Sequence, residues 1–372
     1  MKIVDIKACT VAIPLETPTT FSTRIVSERH FTIVKIVRED GVEGIGYCYI
    51  GNKAGHLGTI AVRDLLRDSV IGQDSNQVEQ LWEMMFKDAL LQGRRGLILR
   101  AMSAIDNALW DANAKAAGLP LYKYLGGSRT GSVPAYASGG YYYKGKTHMD
   151  LAREVESYVE MGFNAVKIKV GRLNIDEDVK RVAAARDAIG PNIQLFLDVN
   201  NAWNDTATAI AYVKRFERFN PGWIEEPFPP DEFDLFASLS ASVDTPIATG
   251  EIENGHWGFK VLLDKRGVDI IQPDVAVCGG VSEFKKIANL AAAYGVTIAP
   301  HSRQDLHVHM VASTPNATWL EYFDDVSITN IALVLSTKLE HKNGNVIIPE
   351  RPGFGIELDE NAVSKYSIDG WA

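Results

Sequence analysis

Sulfur is scarce in this chain: its 372 residues include three cysteines, Cys9, Cys48 and Cys278, widely spaced and without a Cys-x-x-Cys pair. An odd, scattered set excludes a disulfide framework and points to inert thiols in a reducing, cytoplasmic compartment. Long apolar runs are missing too. No stretch approaches the ~20 residues that a membrane-spanning helix needs, and Met1-Lys2-Ile3-Val4-Asp5 carries an early acid where a secretory leader would be apolar. An excess of positive charge is also lacking. With 38 Lys and Arg against 47 Asp and Glu, the net charge of −9 excludes a general affinity for nucleic acid or an anionic membrane surface. Low-complexity segments are absent, and 46% hydrophobic with 23% charged residues is the composition of an ordinary globular protein. A homo-oligomer is expected.

What is present is a change of pattern near Gly126-Gly127. Before it, strand-like runs at residues 3–13, 31–38 and 45–50, with a turn at Asp40-Gly41, read as an antiparallel meander. Residues 59–117 then take helical spacing, clearest over 97–112, and Gly118 and Pro120 stop it. Residues 1–130 are therefore expected to form an α+β unit. After it, strand candidates at 133–138, 165–170, 194–200, 223–227, 246–251, 269–274, 297–302 and 318–323 alternate with helical segments such as 149–161, 176–189, 205–219 and 281–294. Eight strands at this spacing predict a parallel barrel over residues 131–345, the alternative being a doubly wound open sheet. Residues 346–372 are too few for a domain and are expected to return onto the N-terminal unit.

The stretch Ala165-Val166-Lys167-Ile168-Lys169-Val170 organises the chemistry. Alternation along a strand puts Lys167 and Lys169 on one face, and two neighbouring ammonium groups need anions nearby. The C-terminal ends of the remaining strands supply them: Asp198, Glu225 or Glu226, Glu251, Asp274 and Glu321, with His301 among them. In a parallel barrel these ends converge on one rim. Asp198, Glu225 and Glu251 form an all-oxygen set suited to a hard divalent cation, Mg²⁺ above all. Asp274 beside His301 reads as an acid/base dyad whose tautomer the carboxylate fixes. Lys169, its pKa lowered by Lys167 and by the cation's field, is expected to serve as a neutral base. Two proton-transfer groups flanking a metal-held carboxylate suggest abstraction of the proton α to it, giving an enediolate.

Taken together, 101–111 through Leu125-Gly126-Gly127, Lys167-x-Lys169, Asp198-Val199-Asn200, Trp223-Ile224-Glu225-Glu226-Pro227, Gly250-Glu251, Pro273-Asp274 with Gly279-Gly280-Val281, His301 and Trp319-Leu320-Glu321 resemble the mandelate racemase-like subgroup of the enolase superfamily. The resemblance implies a (β/α)7β TIM-like barrel, with an N-terminal α+β capping domain completed by the C-terminal segment. It implies Asp198, Glu225 and Glu251 as Mg²⁺ ligands, Lys169 as base on one face and the Asp274–His301 dyad on the other. It further implies that Lys167 neutralises the substrate carboxylate or enolate, that Glu321 donates a hydrogen bond to it, and that Asn200 contacts metal-bound substrate; Glu226 would stand behind Glu225. Lactone-forming members carry a lysine near the end of the sixth strand; here Asp274 stands there, which disfavours cycloisomerisation. The subgroup includes sugar-acid dehydratases and racemases. Its specificity loops would be residues 14–29 and 51–58, and Arg24 and Arg303 suit a small-molecule polyol acid or diacid. A dehydratase yielding a 2-keto-3-deoxy acid is the leading expectation, a racemase or epimerase of a 2-hydroxy acid the second, and a catalytically idle binding homologue the third.

Two other signals lead elsewhere. Gly140-Tyr141-Tyr142-Tyr143-Lys144-Gly145-Lys146-Thr147 fits the P-loop pattern, but three tyrosines crowd a loop whose backbone would have to wrap phosphates. His307-Val308-His309 looks like a metal pair, yet on a helix i and i+2 do not face one another.

Overall fold

Ala165–Lys169 (β5) is a strand buried along its whole length. Its two faces meet different layers: Val166 and Ile168 join the main apolar core, whereas Ala165 packs inward with Tyr136, Phe196, Trp223, Ala248 and Ala299. That inner cluster plugs the barrel. Phe196 and Trp223 stack with ring centroids 3.5 Å apart, and Tyr136 stands edge-on to both. Each such side chain contributes roughly 1.5–3 kcal/mol by burial. Above this apolar floor the inward positions of β5 are Lys167 and Lys169, so charge begins where the aromatic plug ends.

In the computed structural model, which describes residues 1–325 and 328–372, the barrel strands are Ser132–Ser138 (β4), β5, Gln194–Asp198 (β6), Trp223–Glu225 (β7), Ile247–Thr249 (β8), Ile270–Ile271 (β9), Thr297–Ile298 (β10) and Leu320–Tyr322 (β11). Each of β4 to β9 pairs in parallel with the next, and β11 pairs with β4. A parallel bridge between Ile298 and Ala317 joins β10 to the segment leading into β11. The ring therefore closes, and the doubly wound alternative is excluded. Seven helices, from His148–Glu160 to Gln304–Ser313, connect the eight strands. Their starts are chemically marked: Thr147 and Asp150 form a capping box, and Asn174 and Asp205 cap the next two, at roughly 1 kcal/mol per cap.

Several strands are shorter than their apolar runs predict. Asn200, Asn201, Glu226, Ser302 and Arg303 take positive φ although none is glycine. A residue in that region turns the chain out of the ladder, which ends β6 at Asp198 and β7 at Glu225; Glu251, Asp274 and His301 lie just beyond β8, β9 and β10.

The capping unit is an antiparallel meander of Ile3–Thr20 (β1), Ile25–Arg38 (β2) and Glu43–Gly51 (β3). The helix Leu97–Ala116 lies between this sheet and the barrel. A Cβ at Gly44 would sit 2.1 Å from the Ala108 carbonyl and one at Gly46 2.2 Å from that of Ala104, so only glycine allows this approach. On its other side Asp106 accepts from the Ser282 amide and hydroxyl, and Ser103 Oγ accepts from Gly279 N–H at 2.8 Å. The segment following Asp274 is thus clamped to the cap. His341–Lys342 (β12) and Asn345–Ile347 (β13) form a hairpin, β13 pairing antiparallel with β4. The chain end then returns to β1, where Ala8 and Ala372 exchange two backbone hydrogen bonds of 2.9 Å.

Candidate active site

Register places three of the groups side by side. Lys169 of β5 stands opposite Asp198 of β6, which stands opposite Glu225 of β7. Glu251 reaches the same point from the turn after β8, whose Gly250 has φ +130. Oxygen atoms of Asp198, Glu225 and Glu251 lie within 4.8 Å of one another. Burial pushes the Glu225 carboxyl up to about 7, and burial together with Glu251 pushes Glu226 well above the carboxylate range. Near this cluster, Asn200 Oδ1 and Glu226 Oε2 are buried without a hydrogen-bond partner. An all-oxygen set with strained ionisation and orphaned acceptors fits a hard cation such as Mg²⁺, the cofactor these residues are suited to hold.

The lysines occupy two depths. Lys167 is fully buried, with Nζ bonded to Glu225, 2.8 Å from Glu321 Oε1 and over the Tyr136 ring. It lies outside the cavity lined by Lys169, Asn200, Glu251, His301, Arg303 and Glu321, held below it by Glu225 and Glu321. Lys169 lines that cavity and pairs with Asp198. Among the protein's own groups, burial and Lys167 push the Lys169 pKa down, but Asp198 outweighs them and raises it. The expected lowering rests on the field of a cation that would draw on the same carboxylate.

His301 comes from the other flank. Its Nε2 is 3.4 Å from Glu251, and its Nδ1 is 3.1 Å from Asp274 Oδ2. Burial disfavours the charged imidazole, but Glu251 and Asp274 raise its pKa. Asp274 is fixed in turn by Ala276 N–H on Oδ1. Glu321 accepts the Ser302 amide at 2.7 Å. Burial opposes its charge, yet Lys167 keeps it ionised, far below the usual range. Toward Ser302 and Lys167 it is an acceptor.

A lid covers the mouth. Residues 14–29, expected as a loop, are mostly strand: Thr19 pairs with Val26 and Thr20 with Ile25, leaving a turn at 21–24. Thr23 Oγ1 donates to Asn200 O at 3.1 Å, Arg172 to Phe21 O at 3.1 Å, and Tyr142 N–H to Thr20 O at 3.1 Å. Phe21 and Tyr141 meet edge-on at 5.1 Å, and Lys169 Nζ lies 5.6 and 5.0 Å from their centroids. Arg24 and Arg303 both line the cavity, whereas no residue of 51–58 does; Tyr49, near the end of β3, takes that place.

The remaining signals resolve structurally. Lys146, the lysine at the phosphate-binding position of the P-loop-like pattern, is paired with Glu154, and Thr147 caps a helix. His307 donates from Nδ1 to Ser302 O at 2.7 Å and accepts Val275 N–H at 3.0 Å, packing behind the dyad. Sequence reasoning missed Gln272, which with Trp223 donates to Glu225 Oε2, and Arg29, which lines the cavity. Gln272 is only two residues before Asp274, on the same face of the run 269–274, which was the available signal.

A closed ring of parallel strands, capped over its mouth and presenting three convergent carboxylates to an amine and an imidazole, defines an enzyme of metal-dependent carbon-acid chemistry. The chain belongs to the mandelate racemase / muconate lactonizing enzyme family of the enolase superfamily. The family model "Mandelate racemase / muconate lactonizing enzyme, N-terminal domain" matches residues 3–126, and "Enolase C-terminal domain-like" matches 150–362. L-talarate/galactarate dehydratase of Salmonella typhimurium is 36% identical over 96% of this chain and 89% of its own. D-galactarolactone cycloisomerase of Agrobacterium fabrum is 35% identical over 99% of both. The solved structure of the Salmonella dehydratase liganded with Mg and L-lyxarohydroxamate superposes with a TM-score of 0.92 at 33% identity, over 100% of this chain and 94% of that one.

Proposed function

We propose that the protein is a Mg²⁺-dependent dehydratase of an acid sugar. As a carbon–oxygen lyase it would remove the proton α to the carboxylate and expel the β-hydroxyl as water, leaving an enol that becomes a 2-keto-3-deoxy acid. The observation that carries this reading is the approach of Lys169 and His301 to one carboxylate triad from opposite flanks. Asp198, Glu225 and Glu251 would hold the cation, which when bound supplies positive charge to a substrate carboxylate gaining electron density.

The other roles belong to the chain's own groups. Lys169 and His301 exchange protons at opposite faces of the α-carbon, and His301, oriented by Asp274, protonates the departing hydroxyl. Asn200, Arg24 and Arg303 meet the substrate's oxygens. Lys167 and Glu321 act from below: they orient Glu225 and the Ser302 backbone. Support for elimination over simple inversion comes from the polar and cationic lining of the cavity, and from the dehydratase names of two similar proteins, the one above and arabinonate dehydratase of Saccharolobus solfataricus. A cytoplasmic homo-oligomer is part of the proposal, testable by light scattering and by fractionation.

Incubation of a panel of aldonic and aldaric acids with the Mg²⁺-loaded protein should release 2-keto acid from at least one. Deuterium exchange at the α-carbon without keto acid would replace the dehydratase by a racemase. No exchange with any acid would leave a binding homologue.

A further inference from the structure

Among the described residues four arginines are buried: Arg29, Arg38, Arg181 and Arg303. Arg38 is bonded to Asp40 and Asn113, and Arg181 to the Gly140 carbonyl. Arg181 Nε also lacks a partner, but Arg181 lies away from the cavity, which Arg29 and Arg303 line. Arg29 is 7% exposed and Arg303 3% exposed, and Arg29 Nε, Arg303 Nε and Arg303 Nη1 are shielded from solvent without any hydrogen-bond partner. The nearest carboxylate to Arg303 is Asp274, 3.8 Å away and already bonded to His301. A buried guanidinium donor without an acceptor is costly, so two such groups beside one cavity require an explanation.

Their positions supply one. Arg29 lies on β2 in the row Arg29, Phe31, Ile33, whose other members are wholly buried and apolar. Arg303 occupies a left-handed backbone conformation, φ 42 and ψ 51, unusual for a side chain other than glycine. Both guanidiniums approach the same ring, Tyr49, with Cζ 5.7 and 5.0 Å from its centroid. Both line the cavity that holds Lys169, Glu251 and His301. Phe21 stands between the two ends, 5.7 Å from Arg29 Cζ and 5.6 Å from Lys169 Nζ. The cavity thus holds the triad carboxylate Glu251 on one side and, against the Tyr49 ring, two guanidiniums, Arg29 from the cap and Arg303 from the loop after β10.

We propose that Arg29 and Arg303 form a second anion subsite, which takes the far carboxylate of a dicarboxylic acid sugar whose near carboxylate lies at the triad. A planar guanidinium offers a carboxylate two parallel N–H donors, and the open chain of a diacid polyol joins the two ends. This rests on the reading of the site as one for an acid sugar, and narrows it to aldaric over aldonic acids.

The test is calorimetric binding of matched pairs, galactarate with galactonate and glucarate with gluconate, to the Mg²⁺-loaded protein. At least one diacid should bind about tenfold or more tightly than its monoacid, the size of one charge-assisted contact. Arg29→Gln should erase that preference by weakening the diacid alone, and Arg29→Lys, which keeps the charge but not the fork, should retain part of it. Equal binding of the pairs, no binding of any, a preference that survives in Arg29→Gln or is fully kept in Arg29→Lys, or tighter binding of 6-phosphogluconate than of glucarate would each overturn the assignment. Diacid-selective binding without α-deuterium exchange would remove the dehydratase reading and leave this subsite standing. Exchange confined to monoacids would do the reverse.

Discussion

Lys167 Nζ lies 2.8 Å from Glu321 Oε1 and also pairs with Glu225, tying the second strand of the barrel to its fourth and eighth at a point without solvent access. Removing that ammonium leaves two buried carboxylates without their counter-charge, a change that typically costs about 3–5 kcal/mol. Lys167→Met should therefore unfold at markedly lower urea concentration, measured in chelator so that no cation substitutes for the lysine. Adding Glu321→Gln should recover part of the loss, because one uncompensated charge is removed. Equal midpoints for wild type and Lys167→Met would contradict the arrangement.

Lys169 and His301 approach from opposite flanks, so their loss should be separable. Lys169→Met and His301→Asn should each cut the rate of 2-keto acid formation by about 10²–10⁴, the usual worth of a positioned acid or base, with the far-ultraviolet spectrum unchanged. Deuterium exchange on a pair of α-epimers distinguishes the two faces. Each variant should lose exchange on one epimer and keep it on the other. Loss of both epimers in both variants would mean that the groups act in series on one face.

If Asp198, Glu225 and Glu251 bind Mg²⁺ in the folded chain alone, the ion stabilises by mass action, by roughly 2.7 kcal/mol at a concentration of 100 Kd. Thermal unfolding after chelation should show a Tm that rises with added Mg²⁺. In Glu251→Gln the response should weaken, and Asp198→Asn should behave alike. A magnesium-independent Tm in the wild type would remove the cation from this site.

How much of this was legible beforehand depends on what each residue's signal measures. Asp198, Glu225, Glu251, Asp274 and His301 were legible because a charge at the end of an apolar run, repeated at βα spacing, has one geometric consequence in a closed barrel. The depth of Lys167 was not, because alternation gives the face of a strand and not the level within the barrel. Strand ends were overestimated at β8, β9 and β10, where the ladder stops at Thr249, Ile271 and Ile298 and the ionisable residue sits two or three positions further on. Arg29 was hidden for another reason: in a segment read as a polar loop, an arginine is indistinguishable from a solvated one. Only the pairing of residues 19–20 with 25–26 shows that the strand continues and that the lid is a hairpin.

His309 was set aside as a packing residue, and its surroundings give that role a pH signature. It is fully buried, donating from Nε2 to the Phe354 carbonyl at 3.0 Å while Nδ1 faces the Tyr122 amide at 3.4 Å. The neutral ring suits both neighbours, and a second ring proton would be directed at an N–H. Burial accordingly lowers its pKa to about 4, against roughly 6.5 in an unfolded chain. Between those values the unfolded state binds the extra proton, so the contribution of the neutral ring is complete above about pH 6.5 and is lost as the pH falls toward 4. The shift corresponds to about 3 kcal/mol at 1.36 kcal/mol per unit. His309→Asn, weaker than wild type at pH 7.5, should lose less further stability between pH 7 and 4.5 in paired urea titrations. Parallel curves for the two proteins would show that His309 titrates normally.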